Sequence, residues 1–296
     1  MITTDNRKKI IEQLIVLLPK LRYLDSPYGK FPTKGDGGDD CLWLGMLSSV
    51  GVPEAVNGVS ECQSKEARNG MFYRNPYRRS IDNGDNGDFF SRDMATGVLT
   101  WFAKGCGTRE QWAAWQNYWD VAKVCLKEWP WPAKGCMLWS KRFAPNDKCD
   151  ITPVNYAMMG RICDHRGWPR NTDMVRYDKF DGDYVVQEAK VCTPGYELHL
   201  HACDAWIKRI IGQSKEYADK VSEICHERSP GNLFYTILAK YFADDADAAV
   251  FLDICSRLPD TLGNVWLWEV ENPMDRIHDV CGWDLYFMGK LLLTLG

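Results

Sequence analysis

Leu233-Phe234-Tyr235-Thr236-Ile237-Leu238-Ala239-Lys240-Tyr241-Phe242 is apolar over most of a helical circumference. So is Val154-Asn155-Tyr156-Ala157-Met158-Met159-Gly160-Arg161-Ile162. A helix apolar on most sides is covered by other helices on most sides. Two such segments point to helices packed in layers. The rest of the chain keeps a helical period. Ile10, Ile11, Leu14, Leu17, Leu18 and Leu21 recur at the spacing of one helix face behind Thr4-Asp5-Asn6. A second helix is expected from about Asp39 to Val50, stopping at Gly51, and a third from Ser91 to about Lys104. Thr108 and Gln111 form a capping-box pair ahead of Trp112, Trp115 and Trp119. Thr152-Pro153 and Thr193-Pro194 read as caps with proline in the first turn. Further helices are expected near 215–227, 231–242, 246–257 and 283–295.

Strand signals are few. Val175 to Val186 carries Asp181-Gly182, which suits a tight hairpin turn, and is expected to decorate the helices. No linker or low-complexity tract divides the chain. The expectation is one all-α domain over 1–296, built of successive helical hairpins and carrying a small β-hairpin. No fixed-period repeat marks a solenoid.

Composition narrows the functional classes. The chain has 296 residues, 36 Lys+Arg and 40 Asp+Glu, for a formal net charge of -4. That balance makes nucleic acid an improbable main partner, because neutralising phosphates needs a basic surface. No apolar run approaches the ~20 residues of a membrane span, so no membrane partner is expected. The 12 cysteines are scattered without a C-x-x-C, and several sit in apolar helical runs. They read as small core hydrophobes of a protein made in a reducing cytoplasm. Motifs for serine hydrolases, P-loop NTPases, dinucleotide enzymes and zincins are missing, and no cofactor is expected.

Five stretches carry candidate chemistry. Gly35-Asp36-Gly37-Gly38-Asp39-Asp40-Cys41-Leu42-Trp43 clusters carboxylates where a helix starts. Paired carboxylates suit acid–base work on glycosides; the plain alternative is a helix cap. Asp82 to Asp93 is calcium-loop-like, but Gly84 stands where a ligand belongs and Asp93 where Glu belongs. Within it, Arg92 and Asp93 open a helix. An arginine there opposes the helix dipole, which an anionic ligand or an acidic partner compensates. Asn69 to Arg79 mixes aromatics with cations, Arg74 among them, and suits stacking on rings or a surface loop. His199 and His201 are two apart, on different faces of a helix, so a shared zinc is not expected and His201 is taken as lining a pocket. Trp266-Leu267-Trp268-Glu269 followed by Trp283-Asp284 puts acids beside flat aromatic walls, as a sugar site does; structural tryptophans are the alternative.

The order of these motifs resembles six-hairpin (α/α) toroid proteins. The features that carry the resemblance are Gly35-Asp36-Gly37-Gly38-Asp39-Asp40 before an early helix, Asp88-Phe89-Phe90-Ser91-Arg92-Asp93, Asn232-Leu233-Phe234-Tyr235, and Trp266-Leu267-Trp268-Glu269 with Gly282-Trp283-Asp284. The layout is similar to a bacterial and phage group of six-hairpin glycosidase-like proteins, over most of the chain. The resemblance implies an (α/α) toroid with paired acids at one rim, acting on an oligo- or polysaccharide. The positions that map to those acids are Asp36, Asp39, Asp40, Asp93 and Glu269, with Asp39, Asp40, Asp93 and Glu269 taken as catalytic; beside Asp36, the residues themselves suggest Arg74 and Arg92 for acidic sugar groups, Trp43 and Trp268 for stacking and His201 as further substrate contacts. The resulting expectation is a glycoside hydrolase or polysaccharide lyase without a bound metal. The alternative is a non-catalytic structural or glycan-binding protein of a phage particle, with virion proteins as partners. A weaker third reading is a helical, magnesium-dependent cyclase, because aspartate-rich motifs hold that metal.

Overall fold

The computed structural model describes residues 1–35, 38–65, 70–81, 90–122, 138–140, 149–151, 153–212 and 215–296. At 81, 92, 119–122, 138–140, 149–151 and 153 the description covers the backbone alone. The chain is predominantly helical. Its helices are α1 (Thr4–Leu17), α2 (Asp40–Ser49), α3 (Pro53–Cys62), α4 (Pro76–Ile81), α5 (Arg92–Ala103), α6 (Arg109–Ala122), α7 (Pro153–Arg166), α8 (Thr172–Arg176), α9 (Asp183–Val191), α10 (Tyr196–Ile211), α11 (Lys215–Arg228), α12 (Leu233–Lys240), α13 (Asp245–Ser256) and α14 (Trp283–Leu295). Among the described residues, two short two-stranded sheets accompany them: β1 (Tyr23–Ser26) with β2 (Gly29–Pro32), and antiparallel β3 (Leu138–Ser140) with β4 (Cys149–Ile151). Among the described residues, no helix is long and apolar enough to cross a membrane.

The chain divides into two compact units. One comprises Met1–Tyr23, Pro32–Asp36 and Asp183–Gly296. The other comprises Leu24–Phe31 and Gly37–Gly182. In the second, α2 packs on α5 and α3, and α5 packs on α7. Glycine makes the first of these contacts possible. A Cβ on Gly45 would stand 2.1 Å from the Gly97 carbonyl oxygen, and one on Gly97 would stand 2.3 Å from the Cys41 carbonyl oxygen. The two backbones therefore touch directly, with Gly45 and Gly97 at the crossing. Phe72, Trp101, Phe102, Trp112 and Trp115 form a buried aromatic group beside it. Edge-to-face pairs such as Phe102 with Trp112 (centroids 4.8 Å apart) add to the burial of these rings.

In the first unit, α10, α11 and α12 pack in sequence, and α1 lies against α13 and α14. The ends of these helices are chemically marked. Asp244 accepts from the Asp247 amide at 3.1 Å, and Asp247 accepts from the Asp244 amide at 3.0 Å, a complete capping box for α13. Gly212 closes α10 in the left-handed region at φ 64°. Tyr241 does the same for α12 at φ 56°, the one non-glycine positive φ among the described residues. Arg209 stacks over its ring at 4.5 Å, and its hydroxyl donates to the Arg209 carbonyl at 3.3 Å.

Two expectations change. The Val175–Val186 hairpin is helical instead: α8, a 3-10 turn at Asp178–Phe180, and α9. Asn171 caps α8 by accepting from the Met174 amide, and Val185, Val186 and Ala189 bury one face of α9. Those local bonds outweigh the turn signal of Asp181-Gly182. The chain does carry small sheets, at β1–β2 and β3–β4. Helix α2 stops before Gly51 as expected, and Pro53 then opens α3. Thr193 does not cap α10, which begins after Gly195; instead the Thr193 amide donates to Glu197 at 2.8 Å. The Thr108–Gln111 capping box forms as expected, with bonds of 3.0 and 3.2 Å.

Candidate functional site

The early acidic cluster is organised by Arg74. Its Nη1 donates to Asp39 Oδ1 at 3.1 Å and to the Gly38 carbonyl at 3.0 Å. Its own carbonyl accepts from the Cys41 amide at 2.7 Å. One residue thus pins the start of α2 from side chain and backbone together. Asp39 stands at the N-cap position, but its side chain makes no cap bond and turns to Arg74. Asp40, in the first turn of α2, is buried at 1% exposure. It neighbours Cys62, whose thiol is pushed well up by burial, by a hydrogen bond with Cys41, and by the charges of Cys41 and Asp40, with Arg79 opposing. Arg79 in turn pairs with Glu61 at 2.7 Å.

Asp93 lies in the first turn of α5 and accepts a hydrogen bond from the Ser91 hydroxyl. Ser91 holds the N-cap position but makes no cap bond, because its hydroxyl is turned to Asp93. The backbone of Arg92 opens α5; its side chain lies outside the described residues, as do Asp36 and the calcium-like run from Asp82 to Asp88. The α2–α5 crossing relates the two acidic starts. Gly97 meets Cys41 and Leu42, the residues directly after Asp40, and Asp93 is four residues before Gly97. Asp40 is therefore adjacent to the crossing, and Asp93 is about one helical turn from it.

Glu269 belongs to the other unit, on a 3-10 turn at Leu267–Glu269. Its Oε1 lies 3.8 Å from Nζ of Lys34, and both side chains are largely buried. Trp268 beside it is fully buried; its indole N–H donates to the Asp284 carbonyl at 2.8 Å, and its carbonyl accepts from Asn232 at 3.0 Å. Trp43 of the second unit is also buried. Neither ring offers an exposed face. Asp284 accepts from the Leu267 amide at 2.8 Å and from the Leu285 amide at 2.7 Å, so it ties the Trp266–Glu269 segment to the start of α14. Burial pushes its carboxyl up to about 7, against the hydrogen bonds from the Leu267, Leu285 and Gly282 backbones and from Cys281.

On α10, His199 is fully buried and His201 partly so. His199 Nε2 lies 3.3 Å from Cys203 Sγ, one turn along the helix. This is not a nucleophilic dyad. Burial drives His199 down to about 3, opposed by a hydrogen bond with the Trp268 backbone and assisted by Lys34. Burial drives the Cys203 thiol well up, assisted by Asp204, Cys225 and Glu269. Both groups are held neutral, whereas a thiolate–imidazolium pair needs the reverse shifts. Among the described residues, no group of three His, Cys, Asp or Glu is placed to hold a metal.

The expected acids thus divide between the units: Asp39, Asp40 and Asp93 in one, Glu269 in the other. Sequence reading missed Lys34, Asp204 and Lys208, all of them buried. Asp204 and Lys208 are four apart on an otherwise apolar face of α10, a pattern that signals a buried charged pair of positions. Lys34 carries no such signal, because its acidic neighbour comes from far along the chain. No protein-family model, no curated protein and no solved structure matches this chain.

Proposed function

We propose that this protein is a carbohydrate-active enzyme, a glycoside hydrolase or polysaccharide lyase, with reacting carboxylates at the starts of α2 and α5. The observation that carries the reading is the Gly45–Gly97 contact, which draws the Asp40-bearing and Asp93-bearing turns to one crossing. Glycoside cleavage needs two carboxyl groups flanking one bond, one giving a proton and one acting as base or nucleophile. Asp93, partly exposed and accepting from the Ser91 hydroxyl, is one of the two reacting carboxyl groups in this reading. Asp39 and Asp40 are the partners available in the same unit. Arg74 is paired with Asp39, so an acidic sugar reaching Arg74 competes with that carboxylate. Glu269, paired with Lys34, enters as a separate candidate. The (α/α) toroid and cytoplasmic synthesis belong to this same proposal, and incorporation into a phage particle belongs to its non-catalytic alternative.

The test is a panel of neutral and acidic polysaccharides incubated with the purified full chain. New reducing ends report cleavage, and near-ultraviolet absorbance of unsaturated sugars separates lyase from hydrolase. Loss of a general acid costs about 10²–10⁴-fold in rate. Asp93→Asn, Asp40→Asn and Glu269→Gln are assayed one by one, so each acid is scored separately. Glycan binding without turnover by any wild-type preparation supports the non-catalytic alternative instead.

A further inference from the structure

Helix α1 is aliphatic on two faces. Ile10, Leu14 and Leu17 are buried in its own unit. Ile11 (47%), Ile15 (60%) and Leu18 (42%) are exposed, with Val16 beside them. Ile11, Ile15 and Leu18 follow the i, i+4, i+7 spacing of a helix-pairing seam. By contrast, the exposed positions of α11 are charged: Lys215, Glu216, Lys220, Glu223 and Glu227. Nor can α1 roll to bury its outer stripe. The Thr3 amide and hydroxyl and the Asn6 amide group all donate to Asp245 Oδ1, at 2.9, 2.9 and 2.7 Å, and Arg7 donates to the Leu293 carbonyl at 3.0 Å.

Charge selects the occupant. Residues 1–22 hold Arg7, Lys8, Lys9, Lys20 and Arg22 against Asp5 and Glu12, a surplus of three cations in a chain whose formal net charge is -4. Lys8 and Lys9 stand just before the stripe, paired with Glu12 at 3.9 Å and with Asp5 at 2.6 Å, so the surplus is carried by Arg7 ahead of the stripe and by Lys20 and Arg22 just after it. A second copy of α1 would bring like charge to both ends. The seam lacks the Trp and Phe that, with Leu, anchor a helix at a lipid interface, and its Ile–Ile–Leu spacing fits the knobs of a helix. We infer that the outer face of α1 docks an acidic amphipathic helix of another protein, with Ile11, Ile15 and Leu18 as its apolar contacts and the flanking cations setting its charge.

The experiment uses the full chain and two labelled synthetic helical peptides. Both carry Ile and Leu at seam positions; one is flanked by Glu and the other by Lys. Fluorescence anisotropy should show the acidic peptide binding at least about ten-fold more tightly, with the preference shrinking as salt rises. The variant Ile11→Gln/Ile15→Gln alters exposed side chains only; it should keep the wild-type circular dichroism and lose at least about ten-fold in affinity for the acidic peptide. Four results overturn the inference: no binding of either peptide, equal binding of both, unchanged binding by the variant, or co-sedimentation with phosphatidylserine vesicles in place of peptide binding. Concentration-dependent dimerisation abolished by the same variant overturns it as well, in favour of a second copy.

Discussion

Asp284 and His199 lie in the same unit and are both fully buried, yet they respond to pH in opposite directions. Asp284 titrates near about 7 in the folded protein, against 3.8 as an ordinary carboxyl. Its raised value means that stability is full below about pH 4 and is lost as pH rises toward 7. His199 titrates near about 3 when folded, against 6.5 ordinarily. Its depressed value means that stability is full above about pH 6.5 and is lost as pH falls toward 3. Between about pH 4 and 6.5, the unfolded chain carries the histidine proton and the folded chain carries the aspartate proton. The two proton counts cancel, so this pair contributes no slope. Removing either partner exposes the other. Asp284→Asn should make stability rise with pH, relative to wild type, by about 1.4 kcal/mol per pH unit. His199→Gln should make it fall by about the same slope. Over two pH units that is roughly 3 kcal/mol in opposite directions, well beyond the error of a urea titration. Each variant also carries a constant offset, because Asn accepts poorly from the Leu267 and Leu285 amides and Gln packs poorly in the His199 site. The slope, not the offset, is the reading. Urea unfolding followed by circular dichroism at about pH 4.5, 5.5 and 6.5 measures it. If either variant runs parallel to wild type across that range, the protonation state assigned to its residue is wrong.

Three further outcomes test the packing. Gly45→Ala places a methyl 2.1 Å from a backbone oxygen, and should cost about 3 kcal/mol or more, read as a fall in thermal midpoint. A loss below about 1 kcal/mol would mean that α2 and α5 do not touch there. At Tyr241, Gly relieves the positive φ that Ala retains, while both lose the Arg209 stack. Tyr241→Gly should therefore be more stable than Tyr241→Ala by about 1 kcal/mol in urea unfolding. Asp244→Ala removes the accepting half of the α13 capping box and should cost about 1 kcal/mol in the same measurement.

The helices were legible where periodicity and punctuation agreed. Thr108 with Gln111 marked a helix start, and Gly51 marked a stop. Helix α3 escaped because its buried face, Ala55, Gly58, Val59 and Cys62, is made of small residues that give a weak apolar signal. A Cβ on Gly58 would stand 3.0 Å from the Leu44 side chain and 3.2 Å from that of Phe31, so those side chains would have to give by a few tenths of an ångström. The Asp181-Gly182 turn signal was misleading because Asp181 serves its neighbours: it accepts from Arg161 at 2.9 Å and from the Gly182 amide at 2.9 Å. The acids of the candidate site stood out as a glycine-spaced cluster. What could not be read was their partnership. The pairing of Arg74 with Asp39, of Lys34 with Glu269, and the Gly45–Gly97 crossing are all products of tertiary packing. Local pattern also hid the difference between a tryptophan that lines a site and one that closes a core. Trp268 has an acid beside it in sequence, yet its N–H is spent on the Asp284 backbone.

The most direct test of the central claim is release of reducing ends from a glycan panel by wild type and by Asp93→Asn, side by side, with folding matched by circular dichroism. The account predicts turnover by wild type on at least one polysaccharide and a loss of about 10²-fold or more in the variant. Equal turnover by the two proteins would contradict it and remove the start of α5 from the chemistry.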